Sequence, residues 1–99
     1  MTIKKAKENG KLTIAIEGRL DTSTAPRFQD ALIPEFDEEK NIQLDFAQLA
    51  YVSSAGLRVL IIGHKTAKAK NASMTIKNVS QEVMDVFNMT GFTDMLTIV

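Results

Sequence analysis

Two adjacent serines, Ser53 and Ser54, are the residues of this 99-residue chain whose type and position best suit a chemical modification. They follow a predicted strand and precede Ala55, Gly56 and a long apolar helical run. A serine that caps a helix is worth about 1 kcal/mol relative to alanine, which accounts for one serine only. Glycine in the first turn costs about 1 kcal/mol, and small residues there leave the backbone open to close approach. Because a helix N-terminus carries free N–H groups and partial positive charge, a serine here suits reversible phosphorylation.

A second polar loop contains Asp21, Thr22 and Ser23, between a predicted strand and a predicted helix. In a largely parallel sheet the strand-to-helix loops gather at the carboxyl edge, so we expect these residues to lie near the serine pair. Asp21 and Thr22 also suit plain turn and capping hydrogen bonds, and residue type does not decide between the two roles. Arg58, one turn into the second predicted helix, is expected to be exposed. It lies either at the rim of a partner-binding surface or on the surface without a function.

Hydrophobic periodicity predicts the elements that must position these loops. Asn9 and Gly10 form a hairpin turn signal, and Gly18 is predicted to end the strand that follows. The predicted strands are TIKKAK, KLTIAIEG, NIQLDFAQL, SMTIKNV and MLTIV. With helices between the later strands, the order β-β-α-β-α-β-α-β predicts an α/β fold. Its sheet is mixed and mostly parallel, with an N-terminal hairpin and three packed helices.

The three predicted helices start at Ala25-Pro26, at Ala55 and after Ser80. Pro34 predicts a kink or break near Ile33, because proline cannot donate a helical hydrogen bond. The second helix is expected to bury one face, and the third helix another. These faces comprise Leu57, Leu60, Ile61 and His64 in the second helix, and Val83, Met84 and Phe87 in the third.

Composition excludes several classes of function. Lys plus Arg and Asp plus Glu number 12 each, so the chain lacks the basic surplus of a general nucleic-acid binder. Cysteine is absent, which excludes disulfides and thiolate chemistry and permits a reducing cytoplasm. One histidine and no GxxxxGK[ST], GxGxxG or HExxH motif argue against an enzyme, a metal site or a cofactor. The N-terminus has no apolar leader, and the longest apolar run, Val59–Ile62, is too short for membrane insertion.

Three segments, read together, resemble the STAS domain family and, within it, the bacterial anti-sigma factor antagonists. They are GRLDTSTAP from Gly18, IQLDFAQLAYVSSAGLRVLI from Ile42, and VFNMTGF from Val86. The likeness runs nearly end to end and implies a single STAS domain over residues 1–99. It also implies a switch, in which the unphosphorylated antagonist binds an anti-sigma factor that is an ATP-dependent serine kinase. The sigma factor is then free to direct transcription, and a PP2C-type serine phosphatase reverses the phosphorylation.

Carried onto this chain, the resemblance makes Ser54 the phosphate acceptor and aligns Asp21 with the family's loop aspartate near the acceptor. The common pattern has Asp-Ser before the small residue, whereas this chain has Ser53 at the aspartate position. That change alters kinase recognition or lets Ser53 compete as the acceptor. The expected partner-binding residues are Asp21, Thr22, Ser23, Ser53, Ser54, Ala55, Gly56 and Arg58.

The resemblance leaves other functions open. STAS domains also serve as small subunits of ABC-type lipid transport systems, and they stack in large stress-sensing assemblies. Nucleotide binding is a further alternative, which no phosphate-cradling loop supports here. The leading expectation is a cytoplasmic, monomeric protein-binding module without direct contact to nucleic acid or membrane.

Overall fold

The computed structural model describes residues 1–99, and its centre is one mixed six-stranded β-sheet. Its strands are β1 Thr2–Glu8, β2 Lys11–Leu20, β3 Asn41–Asp45, β4 Leu49–Val52, β5 Ser73–Lys77 and β6 Thr97–Ile98. The helices are α1 Ala25–Leu32, α2 Ser54–Ala69 and α3 Gln81–Thr90, with 3₁₀ helices at Ile33–Asp37 and Phe92–Asp94. Strand order is β1-β2-β3-β5-β6, and β4 pairs with the end of β2. Only β1 and β2 are antiparallel, so the predicted mixed α/β fold with an N-terminal hairpin is confirmed.

Alternation along the central strands puts the core on one face of the sheet. Ile14, Leu44 and Ile76 lie on β2, β3 and β5 and are fully buried, whereas their neighbours Thr13 and Thr75 are only half-buried. The helices supply the other wall of the core with fully buried phenylalanines, namely Phe28, Phe36 and Phe87 from the α1 region and α3. The open, polar face of the sheet therefore plays no part in the core, and the helical side positions the loops of interest.

The region after β3 differs from the prediction. NIQLDFAQL was expected to form one strand, but β3 ends at Asp45 and a separate strand, β4, starts at Leu49. The Asp45 carboxylate accepts the N–H of Ala47 at 3.0 Å, and the N–H of Leu49 donates to the Phe46 carbonyl at 3.0 Å. These bonds close a turn, so the chain leaves its pairing with one half of β2 and resumes beside the other half.

Gly18 was predicted to end β2, but the strand continues to Leu20. The register of β2 against β4 shifts between Gly18 and Arg19, and Gly18 has φ of 102°, a conformation that glycine tolerates best. This irregularity bends β2 so that its first part pairs with β3 and its last part with β4. A glycine inside a strand thus marked a bulge here, not an end.

The helices follow the predicted order with local differences. The break at Pro34 is confirmed, since α1 gives way to a 3₁₀ helix at Ile33. Helix α2 starts at Ser54, one residue before the predicted start. None of the helices is long and apolar enough to cross a bilayer.

The buried face of α2 matches the prediction at Leu57 and Leu60 and differs from it farther along the helix. Ile61 and His64 are half-buried, whereas Gly63 and Ala67 are buried. A Cβ on Gly63 would lie 2.9 Å from the Met74 sulfur, so the glycine lets α2 approach β5 closely along this line. Met84 of α3 is likewise half-buried instead of buried.

Candidate functional site

The two serines at the start of α2 have different environments. Ser53 has extended backbone and is the N-cap, with its Oγ accepting the N–H of Gly56 at 3.4 Å. Its carbonyl accepts the N–H of Leu57 at 2.9 Å, which begins the helical hydrogen-bond ladder. Ser54 is the first residue of the helix and is exposed, and its hydroxyl forms no hydrogen bond within the chain. Ser53 therefore caps the helix, and Ser54 presents a free hydroxyl at its positive end.

The loop between β2 and α1 is ordered around the carboxylate of Asp21. One carboxylate oxygen accepts the Ser23 hydroxyl at 2.7 Å, the Ser23 N–H at 3.0 Å and the Thr24 N–H at 3.2 Å. These bonds, with the Ser23 hydroxyl first, lower the pKa of Asp21. Thr24 in turn donates its hydroxyl to the Arg19 carbonyl at 2.9 Å. Asp21 thus makes the turn and capping bonds that its residue type allowed, and Thr22 remains exposed.

The two loops meet at the carboxyl edge of the sheet, as predicted. The N–H of Ser53 donates to the Leu20 carbonyl at 2.8 Å, which ties the start of α2 directly to the end of β2. Thr22 on one side, with Ala55 and Arg58 on the other, lines a shared depression of about 210 Å³. Arg58 is exposed at its edge. The parallel pairing of β2 with β4 causes this proximity, because both strands end at the same level.

Gly56 is needed for packing inside the chain. It is buried, and a Cβ at this position would lie 2.7 Å from Cγ of Leu20 and 3.1 Å from the Leu20 carbonyl oxygen. The expectation that small residues keep the backbone open to a large partner is therefore wrong for Gly56, since Leu20 fills that space. Ala55, beside it, is half-buried and stays at the surface.

A cluster of Arg19, Tyr51 and Asp21 extends the same edge and was missed in the sequence. The Arg19 guanidinium lies 4.2 Å from the centroid of the Tyr51 ring, in cation–π geometry. Arg19 Nε is also 3.7 Å from Asp21 Oδ2. Arg19 and Tyr51 are directly paired between β2 and β4. The contact between Arg19 and Tyr51 could not be predicted, because it depends on the pairing of β4 with β2 and the sequence analysis did not predict β4.

The C-terminal segment around Gly91 lies beside Ser54. A depression of about 330 Å³ separates α2 from the end of α3, with Ser54 and Leu57 on one side and Thr90 and Phe92 on the other. The segment VFNMTGF, noted in the sequence, thus flanks the exposed serine. No group of three or more His, Cys, Asp or Glu side chains is placed to hold a metal ion.

These features define a small α/β domain with an exposed serine at a helix N-terminus, set at the edge where strand-to-helix loops meet. The chain belongs to the STAS domain family, whose model matches residues 2–99. Among its curated relatives is the anti-sigma-B factor antagonist of Bacillus subtilis, 27% identical over 87 residues, which span 88% of this chain and 80% of the relative.

Solved structures agree on the fold. The anti-sigma factor antagonist SpoIIAA in its unphosphorylated form superposes with a TM-score of 0.76 at 14% identity, over 99% of this chain and 87% of that one. SpoIIAA of Bacillus in its phosphorylated form gives a TM-score of 0.76 at 15% identity, over 99% and 91%. The STAS-type fold predicted from the sequence is confirmed.

Proposed function

We propose that this chain is an anti-sigma factor antagonist that acts as a phosphorylation-switched binding module. Unphosphorylated, it binds an anti-sigma factor that is also an ATP-dependent serine kinase, and so releases a sigma factor. The observation that carries the proposal is the exposed Ser54 hydroxyl at the N-terminus of α2, left free because Ser53 caps the helix. Membership of the STAS family and relatives named as anti-sigma-B factor antagonists support it.

The proposed contact surface is the edge where the two loops meet. Its exposed and half-buried members approach the partner directly, while Gly56 contributes by seating α2 on Leu20. The Asp21 hydrogen bonds hold the first loop in shape beside α2. The directly contacting residues are Asp21, Thr22, Ser23, Ser53, Ser54, Ala55 and Arg58.

The switch works through charge. The kinase transfers the γ-phosphoryl group of ATP to Ser54 Oγ, so that an O–P bond forms, the bond to ADP breaks and the hydroxyl proton leaves. The product gains a charge of about −1.5 to −2, which a helix N-terminus tolerates without refolding. Against the partner surface the same dianion must be desolvated, and binding is lost. A PP2C-type phosphatase restores the hydroxyl by hydrolysis, with release of inorganic phosphate.

Ser54 is preferred over Ser53 as the acceptor. The Ser53 hydroxyl already accepts the Gly56 N–H, so a phosphate on it would disturb the cap and the loop hydrogen bond to Leu20. In this proposal residues 1–99 form a single STAS domain that acts as a cytoplasmic monomer. The domain contacts neither nucleic acid nor membrane and catalyses no reaction itself.

The decisive experiment is purification of the protein from its own cells with phosphatase inhibitors, followed by mass spectrometry of the chain and its partners. We expect phosphate on Ser54 and a serine-kinase-type anti-sigma factor in the complex. Ser54→Glu should abolish binding of that factor with little change in Tm. Ser73→Glu is the matched control, an exposed serine at the opposite edge of the sheet, and should bind normally.

Three results would contradict the proposal in whole or in part. Phosphate on Ser53 would keep the switch but move the acceptor. Normal kinase binding by Ser54→Glu would refute the charge mechanism. An ABC-type ATPase as the partner, or a multi-domain stress-sensing assembly, would replace the proposed function with one of those alternatives.

A further inference from the structure

A groove runs along α2 away from Ser54, and we call it the α2 groove. One wall is α2 from Ser54 to Lys68, and the other is the segment from Thr90 to Met95. Two adjoining depressions of about 330 Å³ and about 650 Å³ make up its length. At 1.5 Å per residue, the α2 wall extends about 21 Å, or about four helical turns. The groove is therefore long enough for a segment of another protein.

The groove has an apolar lining that the fold does not fully cover. Ile61 and Phe92 are only half-buried, and Met95 is 39% exposed. Met89, which precedes the wall residue Thr90 in the sequence, is 86% exposed, although methionine is normally an interior residue. Exposed apolar side chains in a groove that is edged by polar residues are typical of a protein-binding site.

The rim of the groove is basic and its charges are unpaired. Arg58, Lys65 and Lys68 are exposed along the same wall, and none forms an ion pair within the chain. Asp94 is the one carboxylate in the lining. By contrast, Lys5, Lys7 and Lys70 on other parts of the surface are each paired with a carboxylate at 2.7 to 2.8 Å. The neutral chain thus keeps a positive stripe, without ion pairs, along a groove that contains exposed apolar side chains.

We propose that the α2 groove binds an amphipathic, acidic segment of the anti-sigma factor. Apolar side chains of that segment lie on Ile61, Phe92 and Met95, and its carboxylates face the basic rim. This proposal rests on the proposed function, because the groove is continuous with Ser54. It divides the interface into an end that phosphate switches and a distal end, around Lys65 and Lys68, that supplies affinity and electrostatic steering.

The test uses the anti-sigma factor identified by co-purification, expressed and purified, and titrated with the intact chain at low and high salt. Lys65→Glu/Lys68→Glu should weaken binding at least tenfold at low salt and flatten its salt dependence. In phosphorylation of Ser54 it should raise KM and leave kcat unchanged. Lys4→Glu/Lys11→Glu makes the same change in charge on the N-terminal hairpin, outside the groove lining, and should bind normally.

Met95→Ala tests the apolar part without changing charge. Because Met95 is partly exposed, the variant should fold, and it should bind several-fold more weakly with an unchanged salt dependence. Binding of both groove variants at the level of the control would overturn the inference, while loss of binding by Ser54→Glu in the same assay would leave the proposed function intact. Loss of self-association by the groove variants would show that a second copy occupies the groove. If the unaltered chain binds no anti-sigma factor, both proposals fail.

Discussion

Gly56 shows how one small residue sets the position of the candidate site. Gly56 packs against Leu20, which is fully buried and whose carbonyl accepts the Ser53 N–H. Neither the side chain nor the carbonyl of Leu20 can therefore move away easily. The start of α2, and with it the Ser54 hydroxyl, is therefore fixed by a contact between glycine and leucine. The same contact explains why a residue that weakens a helix stands in its first turn.

Replacing Gly56 by alanine should destabilise the fold by about 1 to 3 kcal/mol, because the new methyl group would overlap Leu20. Gly63→Ala is the matched control in the same helix. There the added Cβ meets the ends of flexible Met74 and Leu32 side chains at 2.9 and 3.0 Å, and alanine gains about 1 kcal/mol of helix propensity. Urea unfolding measures both, and equal losses would contradict the argument.

Replacement of Ser53 and of Ser54 by alanine should change the unfolding free energy by different amounts. Ser53→Ala removes the cap and should cost about 0.5 to 1 kcal/mol, at the low end because the 3.4 Å bond to Gly56 is long. Ser54→Ala removes a hydroxyl without a partner in the chain, and its unfolding free energy should stay within about 0.5 kcal/mol of the original. Thermal and urea unfolding measure the difference. A larger loss for Ser54→Ala would mean that Ser54 is the structural serine.

At the scale of elements, the strand switch from β3 to β4 builds the functional edge. Only because β4 resumes beside the end of β2 do Tyr51 and Ser53 lie next to Arg19 and Leu20. Asp45 holds the switch from both sides, since its carboxylate accepts the Ala47 N–H and the Asn78 amide, each at 3.0 Å. One side chain thus connects the turn after β3 to the loop after β5.

Asp45→Ala should destabilise the fold by about 1 to 2 kcal/mol, because it removes two hydrogen bonds to a charged acceptor. It should also speed hydrogen exchange of the Leu49 N–H, which closes the turn. Asp85→Ala is a fitting control, since Asp85 is exposed and accepts one bond from Gln81 within α3. If the two variants are equally stable, Asp45 does not hold the switch.

Elements with strong hydrophobic periodicity were predicted from the sequence, whereas elements that depend on tertiary contacts were not. Alternation in β2, β3 and β5 and the Asn9-Gly10 turn sufficed for the sheet and its hairpin, whose turn has φ of 52° and 78°. Strand β4 is only four residues long, too short for a periodic signal. In the second half of α2 the predicted buried face was wrong, because the buried residues there are Gly63 and Ala67, which a search for large apolar residues does not select. The sequence analysis singled out Ser53 and Ser54, but only the backbone geometry shows that Ser53 is the N-cap and that Ser54 is exposed.

At the scale of the whole molecule, zero net charge conceals an uneven distribution. Acidic residues gather on the 3₁₀ helix after α1 and its flanks, where Glu35, Asp37 and Glu39 are each paired with a lysine. The side of α2 that faces solvent is basic and unpaired. The acidic region is therefore paired within the chain, whereas the basic stripe is available to a partner.

Three hydrogen-bonded carboxylates, those of Asp21, Asp37 and Asp45, should make the fold less stable at acidic pH. Hydrogen bonds from Ser23 and Lys70 lower the pKa values of Asp21 and Asp37, respectively. Burial raises the pKa of Asp45, but the hydrogen bonds from Asn78 and the Ala47 N–H, together with the Lys77 charge, outweigh it. Each of these carboxylates has a folded-state pKa below the ordinary value of 3.8, so it stabilises the fold at pH values above 3.8. That stabilisation is lost as the pH falls through the folded-state pKa.

Lys7 contributes on the alkaline side, because its hydrogen bond to Glu39 raises its pKa above the ordinary value of 10.5. Its contribution is present below 10.5 and is lost as pH rises through the raised value. The urea midpoint should thus be level from about pH 5 to about pH 9 and fall on both sides. Asp45→Asn should shrink the acid loss and leave the alkaline loss unchanged, since the amide keeps the shape of the carboxylate but cannot titrate. A midpoint that rises on acidification would contradict the assignment of these carboxylates as charged, hydrogen-bonded acceptors in the folded state.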